Sequence, residues 1–365
     1  MIHLFGTLKH FLKRRPEVID NAVFRLHWMF TSTLLMVFSI MITAKQYVGQ
    51  AIACLQTDGI PEDVMNAYCW IHTTFTIPEA FKKNVGVDVP HPGIDNTKMG
   101  EKKYYAYYQW VCFVLFLQAL LFYAPYYIWK IWEGGLITAV SLGMHVAVLS
   151  DEEREKKRKL LTNYLLSHKG THKLYAVKYV FCEFLCLVNV VGQMWLMNIF
   201  LDDEFFSYGI KVVQFAQMNQ EERVDPMVFV FPRMTKCRFH QFGFSGDVQK
   251  HDALCILPLN IVNEKIYIFL WFWFIILAIL TTLVLINRFV ILVFRRLRAR
   301  FLIGRCRLAA HNDLKYISRY SDVGDWFLLY MVAKNVDPVV IQEVTSELAK
   351  KINRSQEDDT ENLVV

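Results

Sequence analysis

The sequence lacks the short motifs that mark common catalytic sites. It contains no G-x-S-x-G, H-E-x-x-H or G-x-x-x-x-G-K-[ST] pattern, so it offers no nucleophile elbow, zinc-protease helix or phosphate-binding loop. Its 11 histidines are scattered along the chain, and nothing resembles a motif that reads nucleic-acid bases. We therefore expect a protein that is not an enzyme, has no catalytic residue, metal or cofactor, and binds no nucleic acid.

Charged residues are almost missing from four long stretches. Three of them contain no Asp, Glu, Lys or Arg, and the third along the chain contains just Lys178 and Glu183. The stretches are Leu26–Ala44, Tyr104–Trp129, Leu174–Leu201 and Ile266–Asn287. About 20 residues of helix cross ~30 Å of hydrocarbon, and a spanning backbone must satisfy its own hydrogen bonds. We therefore predict an all-α membrane protein with four transmembrane helices.

Basic residues predict the orientation of these spans. The two ends of the chain and the loop between the second and third runs hold 26 Lys and Arg, whereas the other two loops hold 13. Because basic segments stay on the cytoplasmic side, both termini should be cytoplasmic. The formal charge of +6 is then explained by contact with anionic membrane lipids.

The spans and their orientation divide the chain into segments. The spans are predicted at 26–45, 104–130, 174–201 and 266–287. The cytoplasmic segments are 1–25, 131–173 and 288–365, and the extracellular loops are 46–103 and 202–265. After Asp337 the apolar residues recur on one helix face, which predicts a small helical domain in the C-terminal segment.

Four of the eight cysteines fall in the extracellular loops. Cys54 and Cys69 lie in the first loop, and Cys237 and Cys255 lie in the second. Only these thiols meet an oxidising environment, so we predict two disulfides. Four cysteines allow three connectivities, and the sequence alone does not choose among them.

A zinc site is the alternative interpretation of the second loop. Cys237, His240, His251 and Cys255 form a C-x2-H-x10-H-x3-C pattern that loosely imitates a zinc knuckle. This site would leave the two cysteines of the first loop to pair with each other. The oxidising compartment favours disulfides over zinc.

The first span contains a line of polar residues. At ~100° per residue they fall on one side of the helix. The line consists of Ser32, Ser39, Thr43, Gln46 and Gln50, with Arg25 below them. Such a stripe can line a water-filled pore, or it can be a seam of small and polar residues between packed helices.

Three further features bear on a pore. Residues 1–15 place apolar and basic residues on opposite helix faces, which fits either an interfacial helix or a helix folded into a pore mouth. Pro125 lies inside the second run and should kink or end its helix. Glu183 in the third run is more typical of a residue that binds a neighbouring helix than of one that carries a transported proton.

The motif Tyr107-Tyr108-Gln109-Trp110-Val111 resembles the YYQWV signature of the innexins, the invertebrate gap-junction proteins. Similar stretches recur almost to the C-terminal end of the chain. They include Tyr68–Ile71, Phe75–Pro78, Trp132–Gly135, Cys255–Lys265, Gly324–Phe327 and Asn335–Pro338. Gln46–Gln50 and Cys182–Cys186 look closest to the insect ogre-type branch. Phe242–Gly246 departs from the family, which tends to have a Gly-Pro turn there, and this leaves docking selectivity open.

The resemblance implies a specific assembly. Identical or mixed innexin subunits would form a ring, an octamer in related proteins, in the plasma membrane, and two rings would dock end to end at a gap junction. The N-terminal segment and the first span would line the pore. Disulfides Cys54–Cys255 and Cys69–Cys237 would join the two loops into one docking surface, at ~2–4 kcal/mol each.

Three functions remain open from the sequence. The first is an intercellular channel for ions and small metabolites. The second is a hemichannel in a single membrane that releases small molecules such as ATP. The third is a non-conducting four-pass adhesion or scaffold protein.

Overall fold

The computed structural model describes residues 17–55, 59–96, 101–141, 144, 150–218 and 225–361 of the chain. Its described residues fall into two compact units. The terminal unit contains the residues up to Phe30, Tyr123–Val188 and those from Ile279 onward. The disulfide unit contains Thr31–Phe122 and Asn189–Ala278. The segment 1–15, which gave two hypotheses above, lies outside the described residues.

Four helices in the described residues are long and apolar enough to cross a membrane. They are α1 (Ala22–Val48), α3 (Val111–Glu133), α6 (Lys173–Phe200) and α9 (Pro258–Val293). The shortest has 23 residues, and at ~1.5 Å per residue even this helix exceeds the ~30 Å hydrocarbon layer. The predicted four-span helical membrane fold is therefore confirmed, although a sheet described below adds strands to a chain predicted to be all-α.

Two of these helices have features that periodicity does not reveal. Within α1, Leu26–Thr31 forms a π-helical turn. Helix α3 begins at Val111, because Tyr104 lies in a strand and Tyr107–Gln109 forms a short 3-10 turn. Helix α3 then continues through Pro125 to Glu133, so the proline does not end it.

Helices that are shorter than the spans, or more polar, occupy the loops and the C-terminal segment. Those outside the tail are α2 (Glu62–Ile71), α4 (Leu136–Ser141), α5 (Asp151–Ser167), α7 (Phe205–Gln217) and α8 (Pro226–Val230). The tail contains α10 (Arg295–Arg305), α11 (His311–Tyr320), α12 (Val323–Asn335) and α13 (Pro338–Glu361). The helical domain that the sequence predicted after the fourth span is thus present.

A five-stranded antiparallel sheet, which was not predicted, joins the two loops 46–103 and 202–265 that were predicted to be extracellular, here called the outer loops. Its strands are β1 (Ala53–Leu55), β2 (Thr74–Thr76), β3 (Lys103–Tyr105), β4 (Met234–Phe242) and β5 (Val248–Ile256). The spatial order is β1-β5-β4-β2-β3. The hairpin β4–β5 comes from the second loop, and strands of the first loop pair with both of its edges. The sheet is therefore a structure that neither loop forms alone.

Aromatic side chains form much of the core of the terminal unit. Tyr179 of α6 is fully buried, and its ring centroid lies 4.9 Å from that of Trp129 and 5.0 Å from that of Phe327. Phe24 of α1 packs at 6.1 Å from the same tyrosine. The core therefore links α3, α6, the first turn of α1 and the tail helix α12.

Candidate functional site

Two disulfides hold the outer loops together. Cys54 is bonded to Cys255, and Cys69 is bonded to Cys237, which are the pairs that the resemblance implies. Cys54 and Cys255 face each other in the register of β1 and β5, whereas Cys69 lies on α2. One bridge therefore fixes a strand pair, and the other fixes a helix to the hairpin.

The same bonds remove the sulfur ligands of the zinc alternative. Cys237 and Cys255 are each bonded to a cysteine of the first loop, so neither offers a free thiolate. The sulfur atoms of Cys54, Cys69 and Cys255 lie within 4.8 Å of one another because the two bridges are neighbours. The cluster is a pair of disulfides rather than a set of metal ligands.

The two disulfides lie in a core that is almost completely shielded from solvent. All four bonded cysteines are at most 4% exposed, and Met65, Ala253 and Leu257 pack against them. The side-chain oxygen of Asn66 accepts a hydrogen bond from the Cys54 amide at 2.8 Å. The region that contains the two bridges is therefore a packed core built from both loops.

The family motif fastens the start of α3 to these loops. The Tyr107 hydroxyl donates a hydrogen bond to the carbonyl of Val230 at 2.9 Å, and the side-chain amide of Gln109 donates one to the carbonyl of Trp70. Tyr108 is fully buried. Burial raises the pKa of Tyr107 well above its usual value, so this hydroxyl stays a neutral donor. The remaining motif residues, Trp110 and Val111, lead into the helix.

The predicted polar stripe of the first span divides into two sets. Ser32 and Ser39 donate hydrogen bonds, both at 2.8 Å, to backbone carbonyls of α3. Ser39 is 6% exposed, as expected for a residue in a helix-packing seam. Gln46 lies near the thiol of Cys112, which is a residue of α3. Thr43 donates a hydrogen bond to the Ser39 carbonyl within α1, and Gln50 is exposed. The contacts thus assign Ser32 and Ser39 to helix packing and leave Gln50 exposed.

Arg25 belongs to a small network at the start of α1. Its guanidinium lies 2.5 Å from the Asp20 carboxylate, which also accepts a hydrogen bond from Trp28 at 2.7 Å. Asn21 caps the helix by accepting a hydrogen bond from the Phe24 amide. These local bonds set the direction in which the chain enters the span.

The tail holds the segment that precedes α1. Asn335, at the end of α12, accepts a hydrogen bond from the Val18 amide at 2.6 Å and donates one to the Val18 carbonyl at 3.0 Å. Trp129 donates to the Ile19 carbonyl at 2.9 Å. Sequence reasoning missed this role of Asn335. The signal available was the family-like stretch that begins at this residue.

Glu183 binds a neighbouring helix, as the sequence favoured. It is 2% exposed and lies 3.1 Å from the Arg288 guanidinium of α9. Three hydrogen bonds run from Arg288 to the Glu183 carboxylate, and Asn21 donates a fourth. A buried carboxylate with this many donors is a structural partner.

The tip of the β4–β5 hairpin is exposed and apolar. Phe242 and Phe244 are both largely open to solvent. Gly246 has a φ of 87°, a left-handed conformation that favours glycine. The hairpin therefore turns through a glycine and presents an aromatic residue at its tip.

Comparison with known proteins identifies the chain's relatives. A family model described as Innexin matches residues 20–352. Innexin inx1 of Schistocerca americana is 54% identical over 354 residues, which cover 96% of this chain and 98% of the relative. Innexin inx1 of Drosophila melanogaster is 50% identical, covering 98% of this chain and 99% of the relative. Innexin shaking-B of the same species is 49% identical, covering 98% and 96%. The ogre-type assignment stays a prediction.

Proposed function

The chain belongs to the innexin family of gap-junction channel proteins, and from this premise we propose how its residues build an intercellular channel for ions and small metabolites. Innexin subunits assemble into oligomers. In our proposal this chain forms an octameric ring, either alone or with other innexins, and two such rings dock end to end. The proposal also assigns both termini to the cytoplasm.

The state of the cysteines supports this orientation. The four bonded cysteines lie in the segments 46–103 and 202–265, and the free ones lie in spans or in the tail. Disulfides persist in oxidising compartments and are rare in the cytosol. Together with the excess of Lys and Arg in the other segments, this distribution favours extracellular loops and cytoplasmic ends.

The single observation that carries the docking proposal is the clamp formed by the bridges and the sheet. Strands of the first loop pair with both edges of the β4–β5 hairpin, and two disulfides cross-link the same parts. A surface that is already ordered loses less conformational freedom when it binds. The clamped loops are therefore suited to meeting a second ring.

For the pore wall, we propose a narrower set than the original stripe. Arg25, Thr43, Gln46 and Gln50 are the candidates, because their side chains are not committed to the backbone of α3. The hydroxyls of Ser32 and Ser39 donate their hydrogen bonds to that helix, so we assign both residues to the packing interface between α1 and α3. Residues 1–15 are expected to contribute to the pore mouth.

Cysteine accessibility tests this division. Gln50→Cys should react with a charged thiol reagent added to the open channel and should lower its conductance. Ser39→Cys is the matched control on the same helix and should stay unmodified, because the position is buried. Reaction at both positions, or at neither, would contradict the proposed wall.

Electrical recording from paired cells tests the channel itself. Cells that express the chain should show a junctional current that appears only when both partners carry the protein. A current confined to single membranes would favour the hemichannel. If the protein reaches the surface of both cells and neither type of current appears, the adhesion or scaffold function takes its place.

A further inference from the structure

A basic trough follows helix α10, directly after the fourth span. Three concavities of about 380, 410 and 680 Å³ lie along it. The first two share Leu297 and Arg300, and the second and third share Gly304 and Arg305. The three therefore form one continuous trough, and all its residues belong to the terminal unit.

Positive charge dominates the lining of the trough. Its charged residues are Arg296, Arg300, Arg305, Arg307, Lys334 and Asp337. The single carboxylate among them lies in the third concavity, and the first two are lined by arginines without any acid. This uncompensated charge favours an anionic ligand.

Three of the trough's arginines have side chains that are free to bind a ligand. The guanidinium groups of Arg296, Arg300 and Arg307 have no hydrogen-bond or ion-pair partner within the part of the chain that the structure describes. Arg298, by contrast, donates to two carbonyls at the end of α9, and Arg305 donates to two at the end of α12. Helix α10 and the turn after it thus use some arginines to fix their own position and present the others to solvent.

Apolar side chains line the end of the trough that adjoins the membrane span. The first concavity is lined by Val290, in the last turns of α9, and by Phe294 and Leu297. Phe294 is 56% exposed, and Phe301 further along is 36% exposed. An acyl chain lying against the span can therefore continue along Val290, Phe294 and Leu297 up to Arg296 and Arg300, which line the same concavity.

We propose that the trough binds a membrane lipid whose headgroup carries several phosphates. Arg300 and Arg307 contact the phosphates, and the acyl chain lies beside Phe294 and Leu297. Guanidinium groups bind phosphate oxygens with paired, charge-assisted hydrogen bonds. The proposal rests on the cytoplasmic location of the tail, which belongs to the proposed function, and it adds a specific lipid ligand to that function.

The state of Lys334 is consistent with a phosphate ligand. Burial and the nearby Arg288 lower the pKa of Lys334 to about 8, because its ammonium is partly desolvated and lies beside another cation. A phosphate in the third concavity would favour the charged form. Exposed apolar rings next to the arginines select a lipid over a freely soluble anion, since a soluble anion would gain nothing from them.

Lipid titration of the purified full-length protein tests the proposal. Native mass spectrometry in detergent would count bound phosphatidylinositol bisphosphate, with phosphatidylserine as the comparison lipid. The double variant Arg300→Gln/Arg307→Gln should bind the bisphosphate lipid at least about tenfold more weakly, since it loses the charge-assisted hydrogen bonds of two guanidinium groups to the phosphates. Lys156→Gln/Lys157→Gln on α5 removes the same charge from the same unit and should bind like the parent. Arg300→Lys/Arg307→Lys should retain most of the affinity.

Several outcomes would overturn the proposal. Equal binding by the parent and the Arg300→Gln/Arg307→Gln variant would do so, as would equal losses in that variant and the α5 variant. A variant that leaves the ring but binds lipid normally would show that the trough contacts another subunit. Equal affinity for soluble inositol trisphosphate would remove the lipid as the source of phosphate. Thermal unfolding of each variant checks its folding. Binding in detergent needs no junctional current, so this test can fail while the proposed channel function stands.

Discussion

Removing the bridge between Cys69 and Cys237 should loosen the outer loops without unfolding the spans. The perturbation is the double variant Cys69→Ser/Cys237→Ser, which leaves no unpaired thiol to exchange with the remaining bridge. Cys54 and Cys255 stay bonded and stay opposed in the strand register. The variant therefore separates the contribution of the helix-to-hairpin bridge from that of the sheet.

The structure sets the size of the effect. The two bridges have sequence separations of 201 and 168. When the bridge between Cys54 and Cys255 is closed, the bridge between Cys69 and Cys237 closes a further ring of about 33 residues, which is the difference between the two separations. The chain-entropy relation assigns such a ring about 4 kcal/mol. This is an upper value here, because spans inserted in a membrane already restrict where the loops can go.

Thermal unfolding of the detergent-purified protein and recording from paired cells measure the two consequences. The variant should unfold at a lower temperature than the parent, and its junctional conductance should fall more than its single-membrane current, because loose loops dock at a higher entropic cost. In excess reductant the parent and the variant should unfold alike, since neither keeps a bridge. An unchanged unfolding temperature together with an unchanged junctional conductance would refute the clamp, as would a peptide map that links Cys54 to Cys69.

Four other changes have defined outcomes. Glu183→Ala should destabilise the protein by about 3–5 kcal/mol, since it leaves Arg288 buried without a counter-ion. Asn335→Ala removes both hydrogen bonds to the segment before the first span and should cost about 2 kcal/mol. Gly209→Ala should cost roughly 1–3 kcal/mol, because its new methyl group would lie 2.1 Å from a tryptophan ring of the fourth span. Burial raises the pKa of Tyr105 to about 12, so its contribution to stability should be complete below pH ~10 and should be lost as the pH rises from 10 to 12.

Unfolding temperature, measured against a matched variant, checks each of these. Glu183→Leu/Arg288→Met should recover most of the loss caused by Glu183→Ala, since an apolar pair needs no counter-ion. Asn335→Asp should be no more stable than Asn335→Ala, because it keeps the acceptor for the Val18 amide but places a second, charged oxygen against the Val18 and Met331 carbonyls. Tyr105→Phe should make the alkaline loss of stability smaller but should not abolish it, because burial also raises the pKa of Tyr107 and Tyr108. If Glu183→Ala left stability intact and changed the pH dependence of the current instead, Glu183 would be a proton carrier and our assignment would be wrong.

The spans could be predicted from the sequence because lipid imposes one simple requirement on them. An uninterrupted run such as Ile266–Asn287 has no soluble alternative that buries it. The helix that contains it begins earlier, at Pro258, because the helix continues beyond the charge-free part. The start of the second span was harder to place. Tyr104 is apolar enough to be assigned to a transmembrane helix from the sequence, yet it pairs with Phe75 in the sheet.

The sheet could not be predicted because its pairings join distant parts of the chain. Lys236 faces Phe75, and the two residues carry no local pattern that identifies them as partners. The hairpin alone left a signal, since Met234–Phe242 and Val248–Ile256 flank a turn that contains two glycines. Alternating exposure along a strand with one solvated face is visible in a sequence, but the choice of neighbour for its free edge depends on tertiary packing.

The first span shows a different limit. A pore-lining stripe and a packing seam both place small polar residues at helical spacing. The periodicity that identified Ser32 and Ser39 therefore could not distinguish a pore-lining role from a packing role. What separates them is where each hydroxyl donates its hydrogen bond, and both donate to backbone carbonyls of α3. The position of Asn335 is a further case, since a lone asparagine in a tail gives no hint that it binds a segment 317 residues away.

The distribution of covalent and non-covalent links bears on how such a channel can be both durable and responsive. In the described part of the disulfide unit, the surface assigned to docking is cross-linked by bridges that persist outside the cell. The terminal unit holds the entrance to the first span by hydrogen bonds and ion pairs, among them those of Asn335 and Glu183, and its cysteines are free and buried. Hydrogen bonds of this kind contribute about 1 kcal/mol each, which thermal motion or a bound ligand can offset, whereas a disulfide opens only through redox chemistry. Control of this channel is therefore expected to act through the tail contacts of the first span, and the docked face is expected to stay constant while it does.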